Sequence, residues 1–201
     1  YFSMDGLSEA LPAIENVFGI DMSEKIRHSY TELIWAGLVK KKYTFYYGKS
    51  SGELRPLTRW AWLLDKYKDP MLGWFYHFMK SGETLEDAIY DTENVPRRDP
   101  FKESPVRAFR DLGTTVFKSG WETDDFVFVM RSGPFYNHQF SDQGSFWLAD
   151  RGVLFMKERT GVGYYNNPYY QSSYIQPVGH STILIDHNPQ SQRIGDRRDF
   201  A

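Results

Sequence analysis

A chain of 201 residues can form one or two domains with a real core, and its formal net charge of −2 argues against a generic nucleic-acid binder, which carries a strong basic excess. The absence of cysteine excludes disulfides and thiolate metal sites, and no apolar run is long enough to span a membrane. Aromatic residues reach 17%, with 14 Tyr and 6 Trp, which suits a large aromatic core or an aromatic-lined cleft for a flat ligand such as a sugar; composition alone favours the core. The chain begins at Tyr1 without a hydrophobic leader, so a cut piece of a longer polypeptide is expected, with any signal segment lost upstream.

Residues 1–20 predict a loop with a short helix near Ser8–Val17. From Met22 to Gly37 the apolar residues Ile26, Leu33 and Ile34 recur at helical spacing, until Gly37 and the solvated run Lys40-Lys41-Lys42 break it. Tyr43–Tyr47 predicts a short strand, ended by Gly48-Lys49-Ser50-Ser51-Gly52. Pro56 suits a first helical turn ahead of Leu57, Trp60, Ala61 and Leu64. Met71, Trp74, Phe75 and Phe78 predict a second amphipathic helix after Asp69-Pro70, and Thr84 is the expected N-cap of a third. Helices joined by short turns imply an antiparallel helical array.

The character of the chain changes at the stiff polar stretch holding Pro96, Arg97, Arg98, Asp99, Pro100 and Pro105. The expected organisation is therefore a helical domain over 1–95, a linker over 96–105 and a β-rich domain over 106–201. Strands are expected around Ala108-Phe109-Arg110, at Thr114–Phe117 and Phe126–Met130, in a hairpin of Ser145–Ala149 and Val153–Met156 turned by Asp150-Arg151-Gly152, and at Thr182–Ile185. Short strands with no helices between them point to an antiparallel sandwich, and the polar tail Ser191–Ala201 leaves room for the sheet to continue.

The candidate chemistry lies in this second half. His138, beside Asn137 in a loop entered through Gly133-Pro134, suits a general base or a cation, with the neighbouring amide orienting a carboxylate. A lone loop histidine more often hydrogen-bonds its own loop. Tyr164, Tyr165, Tyr169, Tyr170 and Tyr174 crowd one segment with Asn166, Asn167 and Pro168. A tyrosine can protonate a leaving sugar oxygen or stack on a pyranose, although for any one of the five a structural role is commoner. His180 reads as a strand-end histidine, or as a zinc ligand if Asp142, Glu158 or His187 joined it, but no H-x-H pair is present. No nucleophile elbow and no phosphate-cradling glycine loop appears.

Taken together, Asn137-His138, Asp142-x-Gly144-Ser145-Phe146, the Gly152-x-Leu154 hairpin, the tyrosine-rich segment and Gly179-His180-Ser181-Thr182-Ile183-Leu184-Ile185-Asp186 resemble the heparinase II/III-like family of polysaccharide lyases. The last segment is similar to that family's A-H-N-T signature, with Ser181 in place of Asn, and Trp121 with Asp124-Asp125 resembles its entry into the sandwich. The resemblance covers 106–190; residues 1–95 fit by position and character only. It implies an α+β fold, in which the C-terminal helices of an (α/α) toroid precede an antiparallel β-sandwich. It also implies a bacterial, periplasmic or secreted enzyme that cuts an acidic polysaccharide, such as a glycosaminoglycan or alginate, by β-elimination. His138 then matches the catalytic histidine and Tyr165 or Tyr169 the catalytic tyrosine, with Asn137, Tyr164 and His180 on the substrate side. The expected partners are the acidic polysaccharide and the upstream remainder of the toroid, with no nucleic acid and no membrane.

Two departures qualify the resemblance. Phe140 and Lys157 (or Glu158 with a one-residue shift) stand where many members place zinc ligands, so no cofactor and no metal are expected. The toroid's own Asn-His pair and tyrosine have no match within 1–95, so those residues are expected upstream and this chain should not cleave substrate alone. The competing expectations are a non-catalytic module binding acidic carbohydrate and a purely structural domain.

Overall fold

The computed structural model describes residues 2–45, 54, 60–133, 142–157 and 168–186. They fall into two compact units, one built from Tyr1–Ile34 and Leu54–Glu103, the other from Trp35–Glu53 and Ser104–Ala201. The passage at residues 103 and 104 falls inside the stretch read as a linker. Residues 35–45, by contrast, pack in the sheet-bearing unit although they lie within the span 1–95 read as helical. Their long-range contacts, described below, have no local sequence signature.

The helical unit begins with α1 (Phe2–Phe18), longer than the helix expected at Ser8–Val17. The helix expected through Met22–Gly37 is broken into a 3-10 turn at Ser23–Lys25 and a short α2 (Tyr30–Trp35). Side chains compete with the backbone there: Ser23 donates through N and Oγ to Asp21 Oδ1, and the Ser29 and Thr31 hydroxyls donate to the carbonyls of Ile26 and His28. α3 (Ala61–Tyr67) and α4 (Pro70–Met79) follow. Pro70 occupies the first turn of α4, where its missing N–H costs nothing, and Asp69 caps that turn by accepting from Met71 N and Leu72 N. α5 (Leu85–Ile89) opens with the reciprocal capping box of Thr84 and Asp87. Tyr30, Ile34, Trp60, Leu63, Leu64, Leu72 and Phe75 are buried among these elements, with Tyr30 edge-on to Trp60.

The second unit starts with two short strands, β1 (Gly37–Leu38) and β2 (Tyr43–Thr44), paired antiparallel. Five further strands form one antiparallel meander in chain order: β3 (Arg107–Phe109), β4 (Thr114–Lys118), β5 (Val127–Arg131), β6 (Ser145–Asp150) and β7 (Val153–Met156). Each of these falls within a residue or two of a stretch expected to be a strand. Arg151 and Gly152 both take positive φ (49° and 73°) in the two-residue turn between β6 and β7, the geometry that lets a tight hairpin follow the twist of its strands.

Alternation divides the sheet into two faces. Thr114, Val116, Lys118, Val127, Val129, Arg131, Ser145, Trp147 and Ala149 are buried on the inner face. Residues 35–45 cover it: Phe45 stacks on Trp147 at 5.0 Å between ring centroids, and Lys118 Nζ donates to the Gly37 carbonyl at 2.5 Å. Phe117, Phe128 and Phe146 make a ring ladder on the outer face. The protein is thus α+β with antiparallel sheet, and its described strands make a single five-stranded layer beside the β1–β2 pair.

The strand expected at Thr182–Ile185 is corrected by the structure. Residues 180–186 form no strand: Ile183 and Ile185 are 79% and 69% exposed, and the segment is held by the backbone bonds from Phe146 N to Ser181 O and from His180 N to Pro177 O, together with side-chain bonds. The apolar run Ile183-Leu184-Ile185 mimics a buried strand, yet two of its three side chains face water.

Candidate functional site

Asn137, His138, Phe140, Glu158, Tyr164, Tyr165 and His187 lie outside the described residues. What the structure gives is the frame on either side of them. β5 ends at Arg131 and Asp142 leads into β6, so these two residues are the root of the segment that carries Asn137-His138.

That root is tightly specified. Arg131 Nη1 and Asp142 Oδ1 meet at 3.0 Å, with side chains only 3% and 0% exposed. The Gly144 N–H donates to the Arg131 carbonyl at 2.7 Å, the Ser145 N–H to the Asp142 carbonyl at 3.0 Å, and the Gly133 N–H to Gln143 Oε1 at 2.7 Å. The neighbouring β3–β4 turn abuts the outgoing limb, where the Ser132 N–H donates to the Gly113 carbonyl at 2.7 Å. Gly113 has φ +68°, and a Cβ there would lie 2.2 Å from Gly133 Cα. Gly113→Ala should therefore destabilise the protein by roughly 2 kcal/mol or more, since backbone rather than a yielding side chain blocks the added methyl. Thermal unfolding of the purified variant checks it; an unchanged midpoint would show that the two glycine backbones do not need this close approach.

The tyrosine-rich segment and the His180 segment meet in one folded stretch. Tyr169 is 64% exposed at the start of a short helical turn, whereas Tyr170 next to it is 3% exposed. The turn runs through Tyr174, whose carbonyl lies 2.9 Å from His180 Nε2. A Cβ on Gly179 would fall 2.1 Å from the Ser173 carbonyl, so only glycine permits the chain to fold back this closely. Beyond His180 the chain docks onto the loop root: Thr182 Oγ1 donates to the Gln143 carbonyl at 2.7 Å, Phe146 N donates to Ser181 O at 3.0 Å, and Ser181 Oγ donates to the Lys157 carbonyl at 3.1 Å. Two segments that are remote in sequence, the root of the Asn137-His138 loop and the His180 stretch, are thereby brought together.

Sequence reasoning missed two parts of this frame. Arg131 was hidden as the last residue of an apolar strand, where period-2 alternation alone puts it on the inner face. Gln143, which bridges both segments, carries no chemical signature in a linear reading. Among the described residues no three His, Asp or Glu side chains converge as a metal-binding group. No described helix is long and apolar enough to cross a membrane.

No protein-family model and no curated protein matches the chain. Solved structures do. A structure of heparinase III aligns over 83% of this chain and 27% of its own, with a TM-score of 0.62 and 15% identity. A heparinase III with methylated lysines covers 83% of this chain and 24% of its own, with a TM-score of 0.55 and 15% identity. The heparan sulfate lyase HepC from Pedobacter heparinus covers 73% of this chain and 22% of its own, with a TM-score of 0.51 and 20% identity. The chain thus spans about a quarter of the length of the structures it matches. At these identities the likeness is one of fold: an α+β polypeptide in which helices precede an antiparallel sheet. That fold is the one heparinase III carries over the matching part of its chain.

Proposed function

We propose that this chain is part of a polysaccharide lyase acting on a uronic-acid-containing polysaccharide by β-elimination, and that it carries the last helices of an (α/α) toroid and the sandwich side of the cleft. The observation that supports this most is the docking of the His180 segment on the root of the Asn137-His138 loop, through Thr182 on Gln143 and Ser181 on Phe146, within a heparinase III-like fold. Those are the two segments whose motifs resemble the family. In this reading the uronate carboxylate is neutralised, and Asn137 and His138 stand on the substrate side. His138 takes the C5 proton, the C4–O bond breaks as a C4–C5 double bond forms, and Tyr165 or Tyr169 protonates the departing oxygen. The exposure of Tyr169 suits contact with a polymer, and Tyr164 and His180 complete the substrate side.

The site is proposed to work without zinc. By the resemblance, Phe140 and Lys157 (or Glu158 with a one-residue shift) fall at the family's zinc-ligand positions, and neither a phenyl ring nor an ammonium can ligate a dication. His180 Nε2 is engaged by the Tyr174 carbonyl. A periplasmic or secreted location fits a polysaccharide substrate too large to enter a cell.

The test uses the full-length protein and follows unsaturated uronate absorbance. His138→Ala and the responsible tyrosine variant, Tyr165→Ala or Tyr169→Ala, should each lower kcat by roughly 10²–10⁴-fold, the usual contribution of a positioned acid or base. Undiminished activity in all three variants would refute the assignment. The alternative reading is a module that binds acidic carbohydrate without cleaving it. It predicts binding of acidic oligosaccharides by the full-length protein with no rise in absorbance.

A further inference from the structure

We propose that Lys118 is a covalent modification site of the sheet-bearing unit, at which the buried side-chain amine adds to a small aldehyde and forms an imine. This chemistry is independent of the lyase reading.

The alternation of β4 carries Lys118 to the inner face with Thr114 and Val116, and its side chain is 7% exposed there. Nζ donates to the Gly37 carbonyl at 2.5 Å and lies 4.8 Å from the centre of the Trp121 ring. Neither partner carries a negative charge, and among the described residues Lys118 makes no ion pair. Asp125, whose field does reach it, has its carboxylate engaged elsewhere: Oδ1 accepts from Ser119 Oγ at 2.7 Å and Oδ2 from Glu122 N at 2.7 Å. Burial without a counter-ion favours the neutral amine over the ammonium. The amine accordingly titrates near 7, against the opposing field of Asp125. At neutral pH its uncharged fraction is roughly 10³-fold that of a lysine titrating at the ordinary 10.5. The uncharged amine is the nucleophile toward carbonyl carbon.

The amine also has a place to react. Together with Val39, Lys40, Trp121, Glu122 and Val127 it lines a pocket whose free volume is about 10 Å³, room for about one water-sized body. The electrophile is therefore restricted to one or two carbon atoms. Lys40 and Glu122, the charged residues of the wall, pair with each other. Charge selects among the small electrophiles. Carbon dioxide would leave a carbamate anion beside Glu122 and in the field of Asp125, whereas an imine adds no charge. In the step, Nζ attacks the carbonyl carbon and the C–N bond forms. The carbonyl oxygen then leaves as water with both amine hydrogens as the C=N bond closes. The imine gives up the bond to the Gly37 carbonyl, and its reduction to a secondary amine restores one N–H donor.

The experiment treats the folded full-length protein with limiting formaldehyde and cyanoborohydride, and follows each lysine by peptide mass mapping. The reductant delivers hydride to the imine carbon and leaves N-methyl-lysine as a permanent record. At pH 7 Lys118 should be methylated at least about tenfold faster than the exposed Lys102. Its rate should level off above about pH 8, whereas an amine at the ordinary 10.5 keeps gaining rate up to about pH 10. In urea sufficient to unfold the chain, the advantage should vanish, because it belongs to the buried pocket.

An advantage below about tenfold in the folded protein overturns the proposal. So does an advantage that survives unfolding, or a Lys118 rate that still climbs steeply between pH 8 and pH 10.

Discussion

Between pH 7 and pH 9 the sheet-bearing unit is expected to gain about 2 kcal/mol of stability from the deprotonation of Lys118, and Lys118→Met is expected to abolish that gain. Lys118 ends β4 on the inner face and is 7% exposed. Burial pulls its pKa down to about 7, against the opposing field of Asp125. Nearby, Lys40 pairs with Glu122, and the neutral Trp121 ring lies 4.8 Å from Lys118 Nζ. In the unfolded chain the amine titrates near its ordinary value of 10.5. The unfolded state therefore binds the extra proton throughout the window from about 7 to 10.5, and stability rises with pH across it. Below about pH 7 both states are protonated and the burial cost is felt in full. Urea unfolding at pH 7, 8 and 9 reads the effect as a slope. The absolute stability of Lys118→Met is a poorer readout, because methionine removes the burial cost and also leaves the Gly37 carbonyl without its donor. Parallel pH curves for the two proteins would mean that Lys118 is not titrating in this window.

Much of the fold was legible because the two halves follow different periods. β4, β5 and β6 alternate strictly, and the structure buries Thr114, Val116 and Lys118, then Val127, Val129 and Arg131, then Ser145, Trp147 and Ala149. Period 2 decides which side chains turn inward regardless of their chemistry, so a lysine and an arginine are carried into the same face as the valines. Reading apolar character instead of period left both charges unnoticed. The capped starts of α4 and α5 were legible for a local reason, since Asp69 and Thr84 satisfy backbone N–H groups within three residues of themselves. The placement of 35–45 against the sheet was not. It depends on Phe45 meeting Trp147 and on Lys118 reaching Gly37, pairings about 80 to 100 residues apart that no window of sequence contains. At the site, motif order singled out the His180 stretch before its docking on the loop root was known. The strand expected from its apolar run failed because apolar composition was mistaken for burial.

In the helical unit the largest single-residue loss is expected at Asp87, whose replacement by alanine should cost about 3–5 kcal/mol. Its carboxylate is 4% exposed and is ringed by donors: Tyr76 Oη at 2.9 Å and Thr92 Oγ1 at 2.8 Å on one oxygen, and Thr84 N at 3.0 Å, Thr84 Oγ1 at 2.9 Å and Lys80 Nζ at 3.2 Å on the other. Burial pushes the carboxyl upward, but the hydrogen bonds from Thr92, Tyr76 and Thr84 outweigh it and hold the group well below its ordinary value of 3.8. Alanine strips the acceptor from Tyr76 and Thr92, each 1% exposed, and removes half of the α5 capping box at once. For a unit of this size such a loss lowers the unfolding midpoint by more than about 10 °C. The pH dependence separates the charge from the shape. A depressed folded-state value means that the stabilisation is fully present above the ordinary carboxylate range and disappears as pH falls through the folded value. Asp87→Asn keeps one acceptor but cannot titrate, so it should start lower at pH 7 and lack this residue's share of the acid limb seen in the wild type. Calorimetry from pH 7 down to pH 2 provides the measurement. A midpoint for Asp87→Ala within about 2 °C of wild type would mean that Tyr76 and Thr92 find other partners and that the carboxylate does not organise this end of the unit.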